Sequence, residues 1–282
     1  MLCQPEFSPA LQVLPHDLSC YFIDDEYTFS TVESPIDPCE RALIGQVDQV
    51  FVHSPAMMDK KGGLNPHTAE VPNGVDYASF AQPFAEPDDM KAIPHPRIGY
   101  AGYIKKQLDF DLLIELAGLH PEWSFVMVGP TGYLGSDQPK VAAFADMPNV
   151  YFLGSKGADR LPAYLQHMDV CTMCYRIDDY TKYIYPLKLH EYLACGRPII
   201  APPLRSLRAF SSHIKLVSTA DEWSQAIAAS LEPAAQSANS VGARREVARE
   251  YDWNRLAGQV ARQFCRRLGD AYSARFRSLS AR

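Results

Sequence analysis

Short apolar runs alternate with amphipathic stretches along most of the chain. In the first third, strands are predicted at residues 20–24, 49–53 and 68–71, with a helix over 40–45. After residue 96 the alternation becomes regular. Strands are predicted at 97–101, 124–128, 149–153, 170–173, 198–201 and 214–217, and helices at 109–119, 159–167, 187–195 and 220–231. Such alternation is typical of an α/β fold with a parallel sheet, here doubly wound.

A proline-rich segment divides the chain into parts. Residues 83–96 are rich in proline and show no clear periodicity, so they are interpreted as an interdomain linker. This leaves a partial domain at residues 1–82 and a doubly wound domain at 97–235. Residues 236–282 are predicted to form a C-terminal helix over 241–268, followed by a polar tail that frays.

Composition and charge narrow the class of protein. The 282 residues are 47% hydrophobic and 21% charged, which are ordinary globular proportions. A formal net charge of -6 argues against nucleic acid as the main partner. No run approaches the ~18 apolar residues of a membrane span, and the first residues lack the features of a signal peptide. A cytoplasmic location is therefore expected.

The seven cysteines are scattered and odd in number, which does not indicate a disulfide framework. Cys171 and Cys174 have the spacing of a redox or zinc pair. They lie in a predicted strand, however, where residues three apart point to opposite faces. Without a second Cys or His pair at zinc spacing nearby, they are expected to be core cysteines.

The segment Pro186–Gly196 has the features of a short helix at the edge of the predicted sheet. A proline is tolerated in the first turn of a helix, and a glycine commonly follows the last. Three apolar residues at i, i+3 and i+4 form one face that is expected to pack on the sheet. They are Leu189, Tyr192 and Leu193.

Lys188 and Glu191, three residues apart, share a different face of this helix. The helix N-terminus with a lysine beside it is a good site for a diphosphate. A carboxylate one turn further along can accept hydrogen bonds from a ribose. The alternative is an ordinary Lys–Glu pair on a surface helix, and the residues alone leave both interpretations open.

Four stretches resemble one protein family, in that family's order. Ile184–Ala201 is similar to the donor-site motif of GT-B glycosyltransferases of the large group 1 family, especially those that build bacterial cell-surface polysaccharides. Val71–Asp76 resembles the end of their N-terminal domain, and Ile98–Lys106 the first strand and loop of their C-terminal domain. Glu250–Trp253 resembles the start of their closing helix. The similarity covers roughly residues 20–265.

The resemblance implies a GT-B-like fold, with a complete Rossmann-like C-terminal domain and a partial N-terminal one. It places the ribose on Glu191 and the diphosphate on Lys188 and the backbone of Tyr185, Pro186 and Leu187. The donor loop would contain Gly102, Lys105 and Lys106, although each lysine is equally explained as a solvated loop residue. The base pocket would be lined by Gly129, Pro130, Gly154, Ser155 and Lys156, unless these are ordinary strand-to-helix turns.

The sequence departs from the family pattern in two ways. Many members carry a second glutamate at the position of Tyr183, so sugar contacts are expected from elsewhere. Only about 80 residues precede the predicted linker, roughly half of a full acceptor domain. The chain is therefore expected to begin inside that domain, and no catalytic base is assigned.

The function that the resemblance implies is sugar transfer from a nucleotide-diphosphate sugar to a glycan or lipid-linked acceptor. No metal or resident cofactor is expected. The resemblance slightly favours retention of the configuration at the anomeric carbon. One alternative is a non-catalytic nucleotide-sugar-binding partner, or a fragment of a longer enzyme. A second is a GT-B-fold sugar-nucleotide epimerase, which would need cleft carboxylates such as Asp24, Asp25 and Asp179.

Three further features are weighed as candidates. The cluster Asp24–Glu26 looks like a metal site, but acidic residues after a strand commonly cap loops, and the structural interpretation is favoured. His16 or His53 would be a general base, although a lone histidine is more often structural. The C-terminal region is basic and would suit contact with anionic lipid, although a solvated helix face is the preferred interpretation. Its arginines include Arg255, Arg262, Arg266, Arg267, Arg275 and Arg277.

Overall fold

The computed structural model describes residues 1–27 and 32–280, with side chains up to residue 275. The chain divides into two compact units. The first contains residues 1–74, 178–185 and the chain from 252 onwards, and the second contains residues 75–177 and 186–251. The chain therefore passes between the two units more than once.

The helices and strands follow one another in regular alternation. In chain order they are α1 (Ala10–Val13), β1 (Cys20–Ile23), α2 (Pro38–Gln46), β2 (Gln49–Val52), α3 (Pro55–Lys61), β3 (Thr68–Glu70), α4 (Tyr77–Ala81), β4 (Arg97–Ala101), α5 (Phe110–Leu119), β5 (Ser124–Val128), α6 (Gln138–Ala145), β6 (Val150–Gly154), α7 (Leu161–Gln166), β7 (Val170–Thr172), α8 (Lys188–Ala194), β8 (Ile199–Ala201), β9 (Lys215–Leu216), α9 (Ala220–Leu231), α10 (Ala238–Glu250), α11 (Trp253–Leu268) and α12 (Asp270–Ser280). Short 3-10 turns lie at Pro5–Phe7, Gly62–Leu64, Gly135–Asp137, Thr181–Tyr183 and Arg205–Phe210.

The first unit is built on a parallel sheet of the order β1-β2-β3. Alternate residues of β1 and β2 enter two separate apolar clusters, as the period of a strand requires. One cluster contains Tyr21, Ile23, Val50 and Val52, together with residues of α2 and α3. On the other side, Cys20 and Phe51 pack with Leu256, Val260 and Phe264 of α11. Both faces of β1 and β2 are thus covered, which explains why these two strands are mostly apolar.

The C-terminal region differs from the prediction of one long helix with a frayed tail. α10 ends at Glu250, and the side chain of Asp252 caps a new helix by accepting a 2.8 Å hydrogen bond from the N–H of Asn254. α10 belongs to the second unit and α11 to the first. Residues 270–280 form α12, and the hydroxyl of Ser273 donates to the carbonyl of Cys265. None of the helices in the described part of the chain is long and apolar enough to cross a membrane.

The second unit contains a six-stranded parallel sheet of the order β6-β5-β4-β7-β8-β9. Chain connections run outwards in both directions from the centre, so the prediction of a doubly wound domain is confirmed. The strand order reverses between β4 and β7, and sheets of this kind bind ligands outside the carboxyl ends of the strands at that point. The sequence pattern missed α6, which follows β5, and α3 in the first unit.

The predicted linker at 83–96 is instead packed within the second unit. Arg97 at the start of β4 is 2% exposed and donates hydrogen bonds to the carbonyls of Met90 (2.7 Å) and Ile93 (2.8 Å). Asp89 accepts from the ammonium of Lys156 (2.7 Å) and the hydroxyl of Tyr164 (2.9 Å). These polar contacts hold an irregular segment in place, and the boundary between units falls at residue 74 rather than at 82.

Candidate functional site

Two glycine loops leave the carboxyl ends of β4 and β5 side by side. The N–H of Gly102 donates to the carbonyl of Val128 (2.8 Å), and the N–H of Ile104 donates to that of Pro130 (3.0 Å). Gly129 has a φ of +142°, and a Cβ on it would lie 2.1 Å from the carbonyl oxygen of Gly102. Only glycine fits there, because the neighbouring group is backbone and cannot move aside.

The ammonium of Lys188 lies against Gly102, at the end of β4. Gly102 has a φ of +140°, and a Cβ on it would be 2.3 Å from Cε and 2.5 Å from Nζ of Lys188. The same Nζ is 5.3 Å from the ring centroid of Tyr100, a cation–π distance. The structure therefore brings together the predicted donor-loop glycine and the predicted diphosphate lysine.

The apolar face predicted for α8 is confirmed, since Leu189, Tyr192 and Leu193 are fully buried. The hydroxyl of Tyr192 accepts a 2.9 Å hydrogen bond from the N–H of Ala101, the last residue of β4. This bond anchors α8 to the strand that leads into Gly102. α8 is shorter than the predicted 187–195, and among the described residues no side chain caps its first turn.

Glu191 lies one turn after Lys188, in the first turn of α8, and is partly exposed. Burial raises the pKa of its carboxyl, and the nearby charge of Lys188 opposes this shift. A partly buried carboxylate can accept hydrogen bonds from hydroxyl groups of a ligand with little competition from water. The face shared by Lys188 and Glu191 thus presents a cation and, one helical turn later, a hydrogen-bond acceptor.

Two arginines of α10 hold the other end of α8. α8 ends at Ala194, and Gly196, two residues later, has a φ of +75°. Nε of Arg244 donates to the carbonyl of Gly196 (2.8 Å), and Nε of Arg245 donates to that of Ala194 (3.2 Å). Guanidinium groups satisfy the unpaired carbonyls of a helix C-terminus and complement its dipole. Sequence reasoning missed this role, and the only available signal was the arginine pair in a predicted helix.

The two other predicted donor-loop residues, Lys105 and Lys106, lie beside residues of the loop that follows β5. Nζ of Lys106 lies 5.7 Å from the ring centroid of Tyr133, and the side chain of Lys105 runs close to Gly132. Both lysines are partly exposed. These contacts position the two side chains along the paired loops, and a role in phosphate binding stays a prediction for each.

The predicted base pocket is also untested by the geometry. Gly154 has a φ of +68°, and its carbonyl accepts from the N–H of Gly129 (2.9 Å). Ser155 is exposed, and Pro130 is partly buried with its carbonyl paired to the donor loop. Lys156 is bound to Asp89, which favours a structural role for it over contact with a base.

The segment before α8 belongs to the first unit. The side chain of Tyr185 is buried, and its carbonyl accepts a 2.7 Å hydrogen bond from Nδ2 of Asn73. The second unit resumes at Pro186, which is buried, and continues through Leu187, whose side chain is exposed. The backbone predicted to hold a diphosphate therefore spans the point at which the chain leaves one unit for the other.

At Tyr183, where many family members carry a glutamate, the tyrosine itself binds a carboxylate. Its hydroxyl donates to both oxygens of Glu33, each at 2.9 Å. The ammonium groups of Lys60 and Lys182 lie 4.9 and 5.2 Å from the Tyr183 ring centroid. Burial acts to raise the pKa of Glu33, but hydrogen bonds from Lys182, Lys60 and Tyr183 outweigh it and lower the value to about 2. Glu33 is therefore ionised at neutral pH.

The acidic cluster at Asp24–Glu26 is engaged by neighbouring side chains of the first unit. The partners are Tyr27 for Asp24, Tyr180 for Asp25, and Lys60 and Lys61 for Glu26. Asp179 likewise pairs with Lys182 at 2.9 Å. Within the described residues, no three His, Cys, Asp or Glu side chains are grouped as metal ligands. These contacts support the structural interpretation of the cluster.

The histidine and cysteine candidates also have structural positions. His53 is buried, its Nδ1 lies 3.1 Å from the carbonyl of Ile23, and burial lowers its pKa. His16 is exposed and bonded to the carbonyl of Leu14. Cys171 and Cys174 are fully buried free thiols whose pKa burial raises to about 12. The expectation of core cysteines is confirmed.

The basic C-terminal face is presented by α11. The apolar residues of this helix face the core of the first unit, and four of its arginines are exposed: Arg255, Arg262, Arg266 and Arg267. Nη1 of Arg267 lies 3.0 Å from Nε2 of His67. The side chain of Arg277 lies outside the described residues. A solvated face on a packed helix accounts for this arrangement, and contact with lipid stays a prediction.

The two parallel α/β units have the fold of the GT-B glycosyltransferases. Residues 95–233 match the family model of the group 1 glycosyl transferases. The chain is 30% identical over 238 residues to TuaH of Bacillus subtilis, described as a putative teichuronic acid biosynthesis glycosyltransferase. That match covers 80% of this chain and 58% of the relative, so the chain spans little more than half of the relative's length.

Solved structures agree on the fold. The sucrose-phosphate synthase of Thermosynechococcus elongatus superposes with a TM-score of 0.73 at 19% identity, covering 92% of this chain and 71% of that one. Anabaena HepE, solved with UDP and glucose, gives 0.65 at 16% identity over 87% of this chain and 71% of that one. A TarM variant of S. aureus, solved with fondaparinux, alpha-GlcNAc-glycerol and UDP, gives 0.62 at 13% identity, covering 94% and 54% of the two chains.

Proposed function

We propose that this protein transfers a sugar from a nucleoside-diphosphate sugar to a glycan or lipid-linked acceptor. One observation carries the proposal. The ammonium of Lys188 is held against Gly102 at the carboxyl end of β4, beside the point where the strand order reverses. In open α/β sheets this is the position at which nucleotides bind.

Lys188 is proposed to hold the diphosphate of the donor. As the bond between the sugar and the diphosphate breaks, negative charge develops on the leaving oxygen. A cation already in position stabilises that charge without having to reorganise. The Tyr100 ring beneath Lys188 and the Tyr192 anchor of α8 fix where this charge lies. Because a fixed cation can neutralise the leaving group, we propose that the reaction needs no metal ion.

Glu191 is proposed to accept hydrogen bonds from the ribose hydroxyls. Its position one turn beyond Lys188 matches a ligand whose ribose follows its diphosphate. Two hydroxyl donors to one carboxylate would orient the nucleotide and hold the sugar at a fixed place relative to Lys188. Binding then requires the ionised carboxylate, although burial raises its pKa.

The similar proteins support the choice of ligands. Anabaena HepE was solved with UDP and glucose, and TarM with UDP, fondaparinux and alpha-GlcNAc-glycerol. TuaH is described as a putative teichuronic acid biosynthesis glycosyltransferase. We therefore propose a UDP-sugar as the first donor to test and a glycan as the acceptor. A lipid-linked acceptor would bring the chain to a membrane, where the exposed arginines of α11 can attract anionic headgroups.

The test is nucleotide binding by the full chain. UDP, GDP and ADP at millimolar concentration are each added, and the melting temperature is measured for the wild type, Lys188→Ala and the control Lys215→Ala, which changes an exposed lysine on β9. We expect at least one nucleotide to raise the melting temperature of the wild type and the control, and to raise that of Lys188→Ala far less. If none of the three raises the wild-type value, the donor site does not exist. Turnover of the UDP-sugar with an acceptor glycan then separates an enzyme from a binding protein.

A further inference from the structure

The first unit contains a cavity that the donor site does not use. It has a volume of about 740 Å³ and lies between the N-terminal turn Pro5–Phe7 and the first turn of α2. Ligand pockets for small molecules measure roughly 300–1,000 Å³, so the cavity is large enough for a ligand. α2 follows β1 in a parallel sheet, which puts its first turn at the carboxyl edge where α/β folds place ligands.

The walls of the cavity combine apolar surfaces with carboxylates. Pro35, Ile36 and Tyr27 contribute apolar or aromatic surface. Glu6 and Asp37 contribute acidic groups, and no lysine, arginine or histidine is among the described residues that line the cavity. An anionic ligand would meet uncompensated negative charge here, whereas a ligand rich in hydroxyl groups would meet acceptors.

Glu40 is one of the residues that line the cavity, and one of its carboxylate oxygens can accept further hydrogen bonds. Its side chain is 1% exposed. Its Oε1 accepts from the ammonium of Lys61 (2.7 Å) and from the hydroxyl of Tyr21 (3.2 Å). None of the described residues donates to Oε2. A carboxylate has about four acceptor positions, so this buried group can still bind hydroxyl donors from the cavity.

The first turn of α2 holds Glu40 in position. The side chain of Asp37 caps the helix by accepting from the N–H groups of Cys39 (2.8 Å) and Glu40 (3.3 Å). Lys61 pairs with Glu40 at 2.7 Å and also lies 3.4 Å from Glu26. Oε1 of Glu40 is therefore already engaged by a cation, and its Oε2 is available to a hydroxyl donor.

We propose that this cavity binds an uncharged sugar ring of the acceptor glycan. Its hydroxyl groups would donate to Oε2 of Glu40 and to Asp37, while its apolar C–H face packs on Tyr27 and Ile36. The carboxylates of the cavity would reject a uronic acid at this position. That this sugar belongs to an acceptor rests on the proposed transferase function. That the cavity binds a sugar does not depend on that function.

The exposed thiol of Cys39 at the cavity provides the readout. The full chain is alkylated with iodoacetamide in the presence of methyl glucoside, maltose, glucuronate or tetramethylammonium, and the rate is measured by peptide mass spectrometry. Cys265, which is partly exposed on α11, serves as the internal control. We expect the neutral sugars to slow alkylation of Cys39 at least about threefold once they exceed twice their Kd, with Cys265 unaffected. Protection by glucuronate equal to that by maltose, protection by tetramethylammonium alone, or no protection would each overturn the proposal.

A variant that fills the cavity gives an independent check. Ile36→Trp places a large ring in the cavity from its half-buried mouth, and Val13→Trp is the matched control at an exposed position outside it. We expect sugar protection to disappear in Ile36→Trp and to persist in Val13→Trp, with both melting temperatures near the wild-type value. Persistent protection in a folded Ile36→Trp protein would refute the site. The nucleotide melting shift is measured on the same samples, so a failure of the donor site is distinguished from a failure of the sugar site.

Discussion

Replacement of Gly102 by alanine is expected to move the side chain of Lys188 while the protein still folds. The new Cβ would lie 2.3 Å from Cε and 2.5 Å from Nζ of Lys188, and 3.3 Å from the hydroxyl of Tyr100. The two closest atoms are the end of a flexible side chain, so the lysine can swing away. The variant is therefore expected to fold with its ammonium displaced from the end of β4.

Two separate costs follow from this substitution. An alanine at a φ of +140° is strained by about 1–3 kcal/mol, which lowers the melting temperature by several degrees. Displacement of Lys188 removes a charged hydrogen bond to the diphosphate, worth about 1.5–3 kcal/mol. In binding terms that is a loss of about 10- to 150-fold in nucleotide affinity.

Calorimetry in a double-mutant cycle measures the second cost. UDP affinity is determined for the wild type, Gly102→Ala, Lys188→Ala and the double variant. If Gly102→Ala acts by moving Lys188, it costs little further affinity in the Lys188→Ala background. The reasoning is refuted if Gly102→Ala binds UDP as tightly as the wild type, or if the two losses add in full.

Four further predictions test other parts of the account. Glu191→Gln should raise the melting temperature at neutral pH, because a raised carboxyl pKa means that the ionised form destabilises the fold. In the wild type this penalty is relieved as pH falls. The same substitution should weaken UDP binding, and the UDP affinity of the wild type should fall on acidification at a higher pH than for an ordinary glutamate. Arg244→Ala should cost about 2–4 kcal/mol in a denaturant titration because it removes hydrogen bonds to Gly196 and Ala235 at 2.8 and 2.7 Å, and Arg244→Lys should recover part of this. Cys171 and Cys174 should resist alkylation in the native protein, as burial raises each pKa to about 12, and labelling of either before unfolding would contradict their placement. Arg262→Glu should weaken sedimentation with phosphatidylglycerol vesicles by about 1 kcal/mol or more if α11 contacts lipid, and equal sedimentation would remove that role.

The sequence pattern predicted the continuous apolar strands and the most amphipathic helix of the second unit well. β4 and β5 have the predicted bounds, and α9 agrees from Ala220 to Leu231. α6 was missed because its sequence, Gln138–Ala145, has little contrast between its apolar and polar faces. The segment at 83–96 was misassigned for a different reason. Proline content predicts irregular backbone, but not the hydrogen bonds from Arg97 that pack this backbone within the second unit.

The candidate site was likewise predicted only in part. Lys188 and Gly102 are far apart in the chain, and the resemblance to a family placed both near the diphosphate. Their direct contact depends on side-chain conformation and on a positive φ, which the residue pattern does not specify. The capping of α8 by Arg244 also lay outside the prediction, because a surface helix rich in arginine gives no sign of which side chains turn inwards.

The central claim is that Lys188 recognises the diphosphate of a nucleotide. Its most direct test is the ratio of the Kd of a nucleoside monophosphate to that of the corresponding diphosphate, measured by calorimetry for the wild type, Lys188→Ala and Lys215→Ala. The account predicts a ratio well above one in the wild type and in Lys215→Ala, and a ratio close to one in Lys188→Ala. An unchanged ratio in Lys188→Ala would contradict the account, because the second phosphate would then be held by other groups.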